Sequence, residues 1–217
     1  MFAAEFEGLQ SLRAAGVNAP EPHACGDAFI EMERLQLGGR ADWPAMARML
    51  AKLHRSTGSR FGWHADNWIG LSPQKNAWSD DWPGFFLACR LEPQFEKAGM
   101  RSPFSTLEKF FESYKPVPSL LHGDLWNGNV GFTANGPVIF DPAAYYGDRE
   151  ADLAMTELFG GFPEAFYAEY EKEFPVDKGY ATRKHLYNLY HLLNHLNLFG
   201  SGYRGQVERT LRLLASA

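Results

Sequence analysis

The run HGDLWNGN, His122 to Asn129, followed by IFDP at Ile139 to Pro142, decides how this chain reads. It sets Asp124 behind His122, Asn129 at the end of the same loop, and Asp141 beyond a short apolar stretch. Those residue types in that order suit phosphoryl transfer to a hydroxyl group. Asp124 can accept the hydroxyl's hydrogen bond and take its proton as the bond to phosphorus forms. Asn129 and Asp141 offer hard oxygen ligands to Mg²⁺, which needs few protein ligands because phosphate and water supply the others.

The residues between them strengthen the reading. Val130-Gly131-Phe132 and Pro137-Val138-Ile139-Phe140 are apolar-leaning runs joined through Asn135-Gly136, a strong hairpin signal. An antiparallel hairpin brings its ends together, so the spacing predicts Asn129 beside Asp141, with Asp124 one short loop away. Taken singly, each of these Asp, Asn and Gly residues reads as a turn former. The ordered set, with an apolar strand predicted at Val117 to Leu121 before it, reads as a catalytic loop.

Composition sets the outer limits. The 217 residues, 45% of them hydrophobic, can bury a real core as one large domain or one and a half. A net charge of −5 without a basic run makes nucleic acid and anionic membrane poor partners. The start, MFAAEFEGL, has no basic leader region and no apolar run is long enough to span a bilayer, so a soluble, cytoplasmic protein is expected. Cys25 and Cys89 have no metal-ligand spacing and read as reduced.

Along the chain, Met1 to Ala15 reads as a helix with Phe2, Phe6, Leu9 and Leu12 on one stripe and Gly16 as its stop. Glu5 falls inside that stripe and Glu7 opposite it, and an acid facing inward wants a cationic partner. Short strands are expected near His23 to Gly26 and Ala28 to Glu33, leading to a connection at Met32 to Leu35. Trp43 to Thr57 reads as a helix capped by Asp42, with His54-Arg55 suited to its C-terminal end. Phe61 to Trp82, FGWHADNWIGLSPQKNAWSDDW, is a long aromatic loop rich in hydrogen-bonding groups. It fits a polyol or sugar site as well as an Ω-type loop packed by its own aromatics. Helices are expected at Asp81 to Ala98, Pro103 to Ser113, Arg149 to Leu158 behind an Asp148 cap, Pro163 to Glu173, Lys178 to Phe199 and Gly205 to Ser216. Asp152 is placed to brace the catalytic loop by accepting backbone N–H bonds. His191 and His195 in HLLNH have the spacing of a zinc helix, but Leu192 stands where HExxH has its Glu and no third ligand is evident, so both read as structural.

Three stretches together resemble the fructosamine (ketosamine) kinase family: HGDLWNGN, the FGW…DNWIG…PQ…N…W…DW segment, and LYNLYHLLNHLNLFG at Leu186 to Gly200. The resemblance covers essentially the whole chain, and it implies an α+β, protein kinase-like fold similar to aminoglycoside and choline kinases. Expected are a remnant N-lobe over residues 1–35 and a mostly helical catalytic C-lobe with a small hairpin over residues 36–217. The activity it implies is ATP-dependent phosphorylation of a sugar hydroxyl on a small-molecule or protein-bound ketosamine, in deglycation repair. Asp124 then looks like the catalytic base, Asn129 and Asp141 like Mg²⁺ ligands, and Glu5 like the Glu that pairs with a phosphate-binding Lys. Met32, Glu33 and Leu35 would meet the adenine edge by analogy. Trp126, Asp66 and Asn67 are candidate substrate contacts, with packing under the loop an equal reading for Trp126.

The chain departs from that pattern at its start. No Gly-rich loop or strand Lys precedes the first helix, so the N-lobe reads as largely missing, with impaired activity and a homodimer or loose order at the N-lobe remnant as expectations. Phe2, Phe6, Leu9 and Leu12 would on this reading face the missing sheet. Two further readings stay open: a kinase of the same fold acting on an aminoglycoside or amino alcohol, and a catalytically silent binding module.

Overall fold

Asp42 opens the helix around which half of the molecule packs. Its Oδ1 accepts the Ala45 N–H at 2.8 Å and Pro44 presets the first turn, which starts α2 (Trp43–His54). Met46, Leu50 and Leu53 recur at helical spacing and are fully buried. In the computed structural model, which describes residues 1–216, they share a core with Leu9 and Leu12 of α1 (Phe2–Ala14), with Phe166 and Tyr170 of α6 (Glu164–Glu173), and with Leu120 and Ile139.

A second core lies beside it. Here α3 (Trp82–Phe86) runs through a π-helical turn, Leu87–Leu91, into α4 (Glu92–Lys97), and packs with α7 (Tyr180–Phe199) and α8 (Arg204–Ala215). Helix α5 (Glu150–Leu158) lies against α7 and contributes Ala151 and Ala154 to this core and Leu153 to the other.

The strands form four separate antiparallel pairs. β1 (Pro22–Gly26) pairs with β2 (Phe29–Met32), β3 (Asn67–Ile69) with β4 (Ser72–Gln74), β5 (Ser119–Leu121) with β8 (Tyr145–Gly147), and β6 (Val130–Thr133) with β7 (Gly136–Ile139). The last is the expected hairpin, turning through Ala134-Asn135 with Gly136 at φ 111°. One further bond, Phe140 N–H to the Asn129 carbonyl at 3.1 Å, carries the pairing up to the two residues that flank the site.

Several expectations need correcting. Pro103 to Ser113 is an irregular segment with a single 3₁₀ turn at Glu108–Phe110, in which the Thr106 hydroxyl takes up the Glu108 N–H that a helix would aim at the Phe104 carbonyl. Strand β8 has no signal of its own and exists because β5 needs an antiparallel partner. The aromatic loop contains the β3–β4 hairpin. Leu9 and Leu12 do not await a missing sheet; both are fully buried against α2 and the strands. His54 is likewise buried, and its role is internal rather than that of an exposed helix end.

Candidate active site

The loop from His122 to Asn129 is held from behind by one carboxylate. Asp152 of α5 accepts the His122 N–H at 2.7 Å and the Gly123 N–H at 2.8 Å, the bracing role its position suggested. His54 Nε2 reaches the same carboxylate at 3.2 Å, while His54 Nδ1 meets the Tyr170 hydroxyl at 2.7 Å. The Asp152 carboxylate settles the direction of this chain, since it can only accept and burial keeps the His54 ring neutral. Nε2–H therefore donates to Asp152 and Tyr170 O–H to Nδ1, while the Tyr170 oxygen accepts from Arg149 at 3.1 Å. Burial opposes charge on Asp152, but the His54 bond and the Gly123 N–H outweigh it and hold the carboxyl below its usual range.

His122 fastens the loop to the hairpin's far end. Its Nε2–H donates to the Phe140 carbonyl at 3.0 Å, so Nδ1 is the acceptor for the Asp124 N–H at 3.3 Å. Gly123 takes φ 83°, and a Cβ there would lie 2.2 Å from the Ala143 carbonyl, so this turn needs glycine.

The charge of Asp141 acts on two further carboxylates, Asp124 and Glu5. Burial, with the charges of Asp141 and Asp152 behind it, raises the Asp124 pKa from 3.8 to about 7 against the opposing bond from Asn129. Glu5 is half-buried, and burial followed by the charge of Asp141 raises it as well. Glu5 and Asp141 line one cavity of about 250 Å³ together with Asn67, Trp68 and Leu71. Glu7, by contrast, is exposed and binds His64 at 3.1 Å. Asp141 itself has φ 58°, the one non-glycine residue in the left-handed region among the described residues. A strained conformation of that kind persists only where its surroundings enforce it.

The donor set fits a hard cation. Asn129 donates through Nδ2 to the Asp124 carbonyl at 2.8 Å, which turns its Oδ1 away as a free oxygen ligand. The Asp141 charge raises the pKa of both Asp124 and Glu5, a repulsion that a bound cation would relieve.

The remaining predicted residues are spread around this centre. Trp126 is 38% exposed, packs edge-on to Phe159 with centroids 6.3 Å apart, and covers Gly128, where a Cβ would meet its ring at 2.3 Å. The N–H of Glu33 is spent on the Glu21 carbonyl at 2.8 Å, and Glu33 and Leu35 both line an open cavity of about 550 Å³ with Leu37 and Thr133. Met32 is half-buried against the α2 core. Asp66 and Asn67 are not brought to the catalytic loop; Asp66 accepts the Asn76 N–H at 2.8 Å and Asn67 is buried in a network of amides. Burial pushes the His191 pKa down to about 3, its neighbour His195 donates to the His191 carbonyl at 2.9 Å, and no group of three His, Cys, Asp or Glu side chains that could hold a metal ion occurs among the described residues.

The fructosamine kinase family model matches residues 1–216. The chain belongs to the fructosamine kinase family. Among relatives of this family, a probable ketoamine kinase of Synechocystis sp. is 45% identical over 229 residues, covering 98% of this chain and 78% of the relative. The chloroplastic protein-ribulosamine 3-kinase of Arabidopsis thaliana is 40% identical over 239 residues, covering 99% and 73%. Among solved structures, a protein of Thermobifida fusca provisionally named a fructosamine-3-kinase superposes with a TM-score of 0.88 at 33% identity, covering 100% of this chain and 81% of its own. A choline kinase of Streptococcus pneumoniae, at 16% identity and a TM-score of 0.63, shares the fold alone. The fold is thus α+β and protein kinase-like. No helix among the described residues is long and apolar enough to cross a membrane.

Two sets of site residues gave no sequence signal. His54, Tyr170 and Arg149 lie far apart in the chain, and a buried His at a helix end looks like any C-terminal cation. Gln74, Asn76 and Arg90 sit in or beside the aromatic loop, where polar residues read as surface.

Proposed function

We propose that this chain phosphorylates a sugar hydroxyl of a ketosamine at the expense of ATP, as part of the removal of sugar adducts from amines. The observation that carries the reading is Asp124, bonded by Asn129 on the braced His122–Asn129 loop and acted on by the charge of Asp141, which itself lines a cavity with Glu5. Relatives named as ketoamine and ribulosamine 3-kinases supply the substrate class.

Bound Mg²⁺ would neutralise the charge gathering on the transferring phosphoryl group. Asn129 Oδ1 and the Asp141 carboxylate would hold it. Asp124 accepts the hydrogen bond of the substrate hydroxyl, orients its oxygen toward phosphorus, and takes the proton as the O–P bond forms and the bond to the leaving ADP oxygen breaks. Its raised pKa makes it a stronger base than an ordinary carboxylate. Trp126 offers an exposed ring face next to the base for the sugar. On this reading the Glu5 carboxylate would orient a cationic group at the phosphates and Leu35 would receive the adenine edge, supported by their lining of two cavities.

Incubation with Mg²⁺, ATP and a ribulosamine or fructosamine of lysine tests this by the mass of one added phosphate. Aminoglycoside and choline acceptors serve as the comparison. Phosphorylation of those acceptors with none of the ketosamine would overturn the substrate class, and failure of every acceptor would overturn the enzyme reading.

A further inference from the structure

We propose that Asn67 and Gln74 are positioning residues for Asp141: they grip the chain just after it and thereby fix where its carboxylate sits, an inference that rests on reading Asp141 as a metal ligand. The Asn67 amide donates to the Ala144 carbonyl at 2.8 Å, and the Gln74 amide donates to the Ala143 carbonyl at 3.2 Å. Both side chains are buried. On the other side of Asp141, the Phe140 N–H is fastened to the Asn129 carbonyl at 3.1 Å. Asp141 and Pro142 thus span the gap between two clamps, and this is where the backbone takes φ 58°.

The orientation of every amide follows from groups that can act in one way alone. Arg90 can only donate, and its bond to Asn76 at 2.8 Å makes that acceptor Oδ1. Asn76 Nδ2 then donates to Asn67 Oδ1 at 2.8 Å, Gln74 Nε2 donates to the same oxygen at 2.8 Å, and Asn67 Nδ2 is left for the Ala144 carbonyl. The Tyr190 hydroxyl closes the set at Gln74 Oε1, again at 2.8 Å. The Arg90 guanidinium lies 4.0 Å from the centroid of the Tyr145 ring, so the network holds three consecutive residues, Ala143 to Tyr145. Burying such groups is costly unless they are paired; every amide of the network is paired, with Arg90 Nε the one buried polar atom of the set left without a partner, and such pairing makes the amides rigid. In kinases the segment after the metal-binding Asp can be ordered or released to switch activity. Here the aromatic loop pins that segment permanently, and its amides serve the metal ligand instead of touching substrate.

The variants Gln74→Met, which keeps the length of the side chain without its polar atoms, and Asn67→Ala test this. Mn²⁺ affinity in the presence of ADP, read by electron paramagnetic resonance, should weaken about tenfold, while KM for a ribulosamine moves less than about twofold. Amide hydrogen exchange over residues 143–147 should quicken in both variants. A raised ribulosamine KM with unchanged Mn²⁺ affinity would make these residues substrate contacts and overturn the proposal. A lowered melting temperature with unchanged Mn²⁺ affinity would make them structural and overturn it equally. If the unaltered chain binds no Mn²⁺ with ADP, the metal reading of Asp141 fails on its own; unchanged exchange over 143–147 in Gln74→Met would then show that no clamp exists.

Discussion

Asp124 carries opposite consequences for activity and stability. As the base, its replacement in Asp124→Asn should lower kcat by about 10²–10⁴, measured with saturating ATP and ketosamine. The rate of the unaltered chain should rise with pH through a limb near 7, set by the burial and neighbouring charges that raise this carboxyl to about 7. Added Mg²⁺ favours the ionised form and should move the limb to lower pH. The same shift works against folding. A folded-state pKa raised from 3.8 to about 7 means the native protein keeps a proton that the unfolded chain has released, so this contribution is full below 3.8 and is lost as pH rises toward 7. Asp124→Asn should therefore be more stable than the unaltered chain at pH 8, by about 2 kcal/mol, and no more stable at pH 4, as urea melts at the two pH values would show.

Among the elements, the catalytic loop depends on a frame contributed by α2, α5 and α6. His54→Phe keeps the ring volume but removes both bonds of that buried imidazole, leaving Asp152 and Tyr170 each short of a partner, and should cost about 2–4 kcal/mol in a denaturant titration. Gly123→Ala places a methyl group against the Ala143 carbonyl in a left-handed turn and should cost about 2–4 kcal/mol in the same titration. Both substitutions should also lower kcat, because a loop loosened by a fraction of an ångström no longer presents Asp124 to the hydroxyl.

Across the whole molecule, order should be uneven. β1 and β2 form a two-stranded sheet in which no side chain is fully buried and Phe29 is 53% exposed, whereas α7 has eleven buried residues. Two strands alone are marginal in water, and local opening follows contact with the core. Backbone amides of residues 22–32 should exchange with solvent well before those of residues 186–196. Equal protection of the two segments would show that the sheet is as firmly held as the central helix.

The sequence by itself determined the local frame. HGDLWNGN and the hairpin after it set out the proposed base and both proposed metal ligands because their spacing is local: a turn and two short strands suffice to pair the chain at Asn129 with Phe140, next to Asp141. Helical periodicity likewise separated Glu5 from Glu7, since a fixed rotation per residue decides which acid faces inward. Tertiary structure alone decided what holds those residues in place. Asp152 was legible as a brace, but not its partner His54 nor the Tyr170 hydroxyl behind His54, which come from helices distant in sequence. Asn67 read as a substrate contact, and the sequence did not show that it also belongs to a buried amide network, because hydrogen-bond partners are chosen by packing across the fold and an amide carries no periodic signal of its destination. β8 and the irregular Pro103 to Ser113 segment failed to show for the same reason: a three-residue strand exists through its partner, and a helical pattern yields when a nearby hydroxyl offers one of its N–H groups a closer acceptor.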